Sequence, residues 1–163
     1  MNDFFTKTDL SRIDAENIIS ETLKKCDDGE LYLENSKSES IVLDDDKIKS
    51  STYSSDLGYG LRAVSGEVVA YSHSNEISKD SLKQSASNLS STLKSQKGVY
   101  NHEIPKTNKK FYKDINPIEE KSLQSKLELL KEVNNYTRAK GGIVQQVTAS
   151  FSGEHKSIEI IRS

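Results

Sequence analysis

The chain has 163 residues, 33% of them hydrophobic and 29% charged, with 23 basic and 25 acidic residues for a formal net charge of -2. That length supports one domain with an economical core under a well-solvated surface, and a balanced charge gives no overall field to draw in a phosphate backbone, which argues against nucleic acid as a partner. No run approaches the roughly 20 apolar residues of a membrane span, the N-terminus lacks a basic region followed by a long apolar stretch, and Cys26 is the single cysteine, so a reducing cytoplasmic setting without disulfides is the expectation.

Ser11 and Asp14 have the spacing of a capping box, and Ala15, Ile18, Ile19, Thr22, Leu23 and Cys26 then recur at helical intervals, predicting a first helix over about 12–26. Cys26 closes that apolar stripe. It reads as a small buried hydrophobe, with a reactive thiol as the alternative. Three segments with strand character follow, LYLENS, ESIVLDD and KIKSSTYSS, and together they predict an antiparallel meander. The acidic run Asp44-Asp45-Asp46 between the second and third has neither the spaced ligands nor the loop glycine of a calcium site, so a solvated turn is expected.

The stretch from Leu57 to His73, LGYGLRAVSGEVVAYSH, contains Gly58, Gly60 and Ala63 at the spacing G-x-G-x-x-G/A of a dinucleotide fingerprint. Such a loop must open directly into a helix whose amides hold the pyrophosphate. Here Ser65-Gly66-Glu67 leads instead into Val68 and Val69, so the prediction is a hairpin with its turn at Gly66. Gly58 and Gly60 within a strand then mark a bulge or the close approach of another backbone, either a core helix or a bound partner. Arg62 lies opposite its apolar neighbours, where it pairs with a carboxylate of this chain or meets a peptide carboxylate or a subunit. Gly58, Tyr59, Gly60 and Arg62 are the first residues to mutate, with no catalytic role assigned.

Ile77, Leu82, Ala86, Leu89 and Leu93 outline a second helix over about 78–94, and the polar segment containing Pro105 and TNKK after it is expected to be mobile and open to nicking. A third helix is predicted from near Pro117, carrying Ile118, Leu123, Leu127, Leu130 and Val133 toward a core and ending before Gly141-Gly142. Finally, IVQQVTASF and KSIEIIR around Ser152-Gly153-Glu154 read as a hairpin. The clustering of strands predicts an α+β fold, mainly an antiparallel sheet with about three helices packed on it.

Catalytic constellations are scarce. His73, His102 and His155 are far apart, and His102-Glu103 opens like H-E-x-x-H but has Lys106 at the second ligand position. There is no nucleophile elbow and no phosphate-binding loop, and Glu119-Glu120 reads as ordinary charge on a polar helix surface. From these residues alone the chain is a binding or supporting domain, without a catalytic, cofactor-binding or metal-ligating residue to nominate.

Two longer blocks are more specific. DGELYLENSKSESIVLDDDKIKSSTYSSDLGYGLRAVSGEVVAYSHSNEIS and VQQVTASFSGEHKSIEII, in that order across roughly residues 28–161, resemble the N-terminal domain of the TldD/PmbA family of metalloproteases, on the TldD side. The resemblance implies the front domain of a longer two-domain zinc peptidase that cleaves unfolded or extended peptides. It further implies a dimer with a PmbA/TldE-like subunit or a second copy of itself, and it explains the older label of DNA gyrase modulator. The family's zinc motif, H-E-x-x-x-H with a later cysteine, belongs to its C-terminal domain, and this sequence ends before that region. No zinc ligand is therefore carried over here, Cys26 included, and this chain alone is expected to be inactive. The rival expectation is a naturally short, non-catalytic module that binds peptides or a paralogous subunit.

Overall fold

The computed structural model describes residues 4–6, 8–93 and 115–162. In chain order these form α1 (Arg12–Leu23), β1 (Asp28–Asp44), β2 (Lys47–Ser65), β3 (Val68–Ser74), α2 (Lys79–Thr92), α3 (Leu123–Arg138) and β4 (Thr148–Ile161). The strands make one four-stranded antiparallel sheet in the order β3-β2-β1-β4, so the fold is α+β, as the sequence predicts. The chain divides into two compact units, one built from residues 1–35, 56–112 and 157–163 and the other from 36–55 and 113–156, and β1, β2 and β4 each contribute to both.

In the first unit, α1 starts as its capping box dictates. The Ser11 side chain accepts the Asp14 amide at 3.0 Å and donates to the Asp14 carboxylate at 2.8 Å, satisfying a donor that the first helical turn leaves free. Ala15, Ile19 and Leu23 are fully buried, and they pack with Leu31, Leu33, Leu61, Ala63, Leu82 and Leu89 into one core. Burying a leucine or isoleucine side chain contributes about 1.5–3 kcal/mol, so this cluster is the chief stabilising element of the unit. α2 is capped in the same way, with Ser78 accepting the Ser81 amide at 3.2 Å. The β2–β3 hairpin forms where expected: Ser65 pairs with Val68 around a two-residue loop in which Gly66 takes φ +59, a left-handed value that a glycine adopts without steric cost.

In the second unit, Ile41, Leu43, Leu130 and Ala149 form a separate small core with Leu127 and Phe151 against it. Lys126 is buried there, with its ammonium 2.8 Å from Glu39 and 2.6 Å from the Ile118 carbonyl, and 5.7 Å from the centre of the Phe151 ring.

Four sequence expectations are corrected. LYLENS and ESIVLDD are one strand, β1, and KIKSSTYSS runs without a break into LGYGLRAVS as β2, so two long strands replace four short ones. Serines and lysines of weak strand propensity are carried here by the hairpin ladder with the neighbouring strand, and β3 adds a second neighbour to β2 only over Tyr59–Ser65. The turn between them is Asp45-Asp46, both at positive φ (47° and 64°), the geometry of a tight two-residue hairpin loop.

The third helix begins at Leu123, not near Pro117. Asn116 takes the Ile118 amide on its side chain at 3.1 Å, which turns the chain first, and Ser122 then supplies the N-cap. The buried face of α3 is Lys126, Leu130 and Asn134; Leu123 and Val133 are exposed, the latter beside exposed Leu129 and Tyr136. Glu119 and Glu120 accordingly lie in the preceding turn and not on a helix, and Glu119 pairs with Lys37.

The hairpin expected at Ser152-Gly153-Glu154 is absent: Thr148 to Ile161 is a single strand. Turn-forming composition misleads here: Gly153 is not at positive φ, and a Cβ on it would make only ordinary contact with Ile118, so the position carries no turn geometry. The first helix also ends three residues early, at Leu23, leaving Cys26 in the turn that follows. The Pro105 segment, His102-Glu103 and Lys106 fall outside the described residues.

Candidate functional site

The stretch from Leu57 to His73 carries polar side chains on both faces of the hairpin. Its outer face centres on Arg62, opposite buried Leu61 and Ala63. The guanidinium donates to Asp28 at 2.5 Å and to Glu30 at 3.3 Å, and Arg162 reaches Glu30 at 2.6 Å. The hydrogen bond from Arg62 lowers the Asp28 carboxyl below its ordinary value, against the opposing effect of burial. Of the alternatives for Arg62, the pairing with carboxylates of this chain is the one realised. Tyr32 lies on the same face and donates to Glu34, which pushes its phenol up to about 12.

The two strand glycines are explained by the hairpin itself. A Cβ on Gly60 would stand 2.5 Å from the hydroxyl oxygen of Tyr71 and 3.1 Å from its ring carbons, so the Tyr71 ring lies over the bare backbone. A Cβ on Gly58 would meet the Ser74 carbonyl oxygen at 2.8 Å. The close neighbour at both positions is thus the adjoining strand.

Toward the helices, Tyr59 is buried and its hydroxyl lies 2.9 Å from both Ser81 and Ser85 of α2; Ser85 is also 3.0 Å from Ser72 of β3. This chain of hydroxyls ties α2 to the hairpin and gives every buried oxygen in it a partner. Beside it, along β3, lies an open depression of about 500 Å³ bordered by Glu76, Asp80, Gln84 and Asn88, with Gln84 donating to Asn88 at 3.1 Å. A larger groove of about 700 Å³ runs between α1 and α2, with Ile18, Ala86 and Leu93 at its base and Lys24, Lys25 and Lys83 on its rim. Cys26 adjoins this groove but is buried, and burial raises its thiol above the ordinary value, which fits the small-hydrophobe reading and not a reactive nucleophile.

Among the described residues no three His, Cys, Asp or Glu side chains come together as a metal-ligand set. His73 stacks on Tyr71, ring centres 5.9 Å apart, and His155 lies in β4. The acidic run is bound internally: Asp44 accepts from Gln146 at 2.8 Å and Thr148 at 2.9 Å, which lowers its carboxyl, and Asp45 pairs with Arg138 and accepts the Val147 amide at 2.9 Å. The described residues therefore do not fit zinc. Among them no helix is long and apolar enough to cross a membrane.

Comparison with known proteins fits this arrangement of hairpin and α2. Residues 29–92, which hold most of β1, all of β2 and β3 and α2, match the family model of PmbA/TldA metallopeptidase domain 1. The metalloprotease TldD homolog of Buchnera aphidicola (subsp. Acyrthosiphon pisum) is 34% identical over 83% of this chain. That of Haemophilus influenzae is 31% identical over 98% of it. This chain carries an N-terminal domain of the TldD/PmbA family. The TldD/PmbA match is to part of those proteins only, since the chain spans 28% and 34% of their respective lengths.

Solved structures agree on the fold of this TldD/PmbA domain. A protein described as a modulator of DNA gyrase from Bacteroides thetaiotaomicron superposes with TM-score 0.64 at 16% identity, over 93% of this chain and 36% of that one. TldE from Thermococcus kodakarensis gives 0.58 at 16% identity, over 90% and 34%. The sequence signal for the family is the β1–β2–β3 block followed by the β4 block, in that order. Sequence reasoning missed the Tyr59–Ser81–Ser85–Ser72 chain, because serines spaced along a polar helix carry no mark that distinguishes a buried one from its exposed neighbours.

Proposed function

We propose that this chain is the N-terminal domain of a TldD-like zinc metallopeptidase, working in the cytoplasm as the front part of a longer two-domain protein. It supports assembly with a PmbA/TldE-like subunit, or with a second copy, and helps confine unfolded peptide, while a zinc site in the other domain performs the hydrolysis. The observation that carries this reading is the family match over residues 29–92 joined to the relatives named metalloprotease. Zinc in such a site polarises the scissile carbonyl and activates water; what this domain contributes is the four-stranded sheet and the polar surface beside α2.

The test begins with an immunoblot of native cells using antibody to this chain, followed by assay of the protein so identified on an unfolded peptide before and after zinc chelation. A species well above 18.2 kDa with chelator-sensitive hydrolysis, and none from this chain alone, is the expected result. A native species of 18.2 kDa, or hydrolysis by the purified chain, overturns the reading and in the first case leaves a standalone binding module.

A further inference from the structure

We propose that the outer edge of β3 is a binding site for an extended polypeptide strand in which basic and apolar residues alternate. β3 stands at the end of the order β3-β2-β1-β4, so its far side meets no other strand among the described residues. An outer strand is a template for pairing unless it is blunted by lysine, proline or a bulge. β3 has none of these. Its sequence, VVAYSHS, contains neither lysine nor proline, and it pairs with β2 in unbroken register from Tyr59–Ser74 to Ser65–Val68.

The surroundings of that edge specify the occupant. A strand added there would lie about 4.8 Å from β3 and send alternate side chains to opposite faces. On the open face it would meet Val69 and Tyr71, which are 60% and 64% exposed, a surface suited to apolar side chains. On the helix face it would meet the depression bordered by Glu76, Asp80, Gln84 and Asn88, which His73 of β3 also lines. Two carboxylates and two amides there favour basic or polar side chains, and the carboxylates repel acidic ones. The hydroxyl chain from Tyr59 through Ser85 to Ser72 holds α2 over β3, so this depression is formed before any peptide arrives and less ordering is needed on binding.

The proposal does not rest on the peptidase reading. That reading is decided by activity of the larger native protein, and this one by binding to the chain itself. The probe is a synthetic seven-residue peptide alternating lysine and valine, compared with a glutamate–valine counterpart and with a lysine–valine peptide N-methylated on alternate residues, titrated at low salt. Expected are measurable binding of the lysine–valine peptide, slowed amide exchange confined to residues 68–74, and loss of both on N-methylation. Reversing both charges, Glu76→Lys with Asp80→Lys, alters exposed positions and leaves the fold intact; it should weaken the lysine–valine peptide about tenfold and improve the glutamate–valine one. Equal binding of the N-methylated peptide, protection located on β4 instead, or indifference to the charge reversal would overturn the proposal. So would sedimentation showing that β3 is occupied by a second copy of this chain.

Discussion

Replacing Lys126 by methionine tests whether the second unit is organised around its buried ion pair. The Lys126 side chain is 5% exposed and that of Glu39 12%, and Lys126 is the donor to both Glu39 and the Ile118 carbonyl. Methionine keeps much of the volume but gives up the ammonium over the Phe151 ring, and it leaves a carboxylate whose other oxygen, Oε1, is already buried without a hydrogen-bond partner among the described residues. Breaking a buried pair from one side costs about 3–5 kcal/mol, because the remaining charge stays desolvated. At about 2–4 °C per kcal/mol for a chain of this size, the melting temperature should fall by at least about 6 °C, and amide exchange in α3 should accelerate first. Adding Glu39→Leu removes the orphaned charge and should recover most of that loss. Urea denaturation of wild type, Lys126→Met and the double variant checks this. A loss below about 1 kcal/mol in the single variant, the scale of an exposed pair, would refute the reasoning, as would a double variant no more stable than the single one.

Ser11→Ala removes the α1 cap and should cost about 1 kcal/mol in urea denaturation, with Ser11→Asp retaining most of the stability because its carboxylate can accept the same amide. Tyr59→Phe deletes the shared partner of Ser81 and Ser85 and should cost about 1–2 kcal/mol, while circular dichroism of the folded state stays unchanged. Since Arg62 lowers the Asp28 carboxyl below its ordinary 3.8, the unfolded chain binds the proton more readily there. The stabilisation is complete above that value and is lost as pH falls through the folded one, so wild type should lose stability more steeply below about pH 4 than Arg62→Met. Parallel slopes in acid denaturation would show that the pair is not coupled to folding.

The elements legible in the sequence were those whose signals act locally. Ser11 with Asp14, the stripe of Ala15, Ile19 and Leu23, and the turn at Gly66 each specify structure within a few residues, and each lies where its pattern places it. Strand continuity is not local. Lys37-Ser38 and Asp56, which separate the strand segments offered by composition, remain extended inside β1 and β2. For α3 the apolar residues marked the buried face only in part: Ile118, Leu127 and Leu130 face the core, and Leu123 and Val133 do not. Leu123, Leu129, Val133 and Tyr136 are exposed, and the buried stripe includes Lys126 and Asn134, polar residues whose place depends on Glu39 and on the small core they border.

The same limit governs the two outer strands. Along β4 the sequence itself places Glu154 and Lys156 on either side of His155, charges of the kind that discourage another strand from pairing. Along β3 no such device is present, and Val69 and Tyr71 are left facing solvent at the edge. Sequence alone could not draw that contrast, because it read β4 as a hairpin and had no means of deciding which strands lie outermost. Once the order is known, composition acquires a direction: Gly60 admits the Tyr71 ring, the ring and Val69 make one side of the edge apolar, and Glu76 and Asp80 make the other side acidic. An edge that is uncharged along its backbone and flanked by two unlike faces selects among extended partners by the alternation of their side chains.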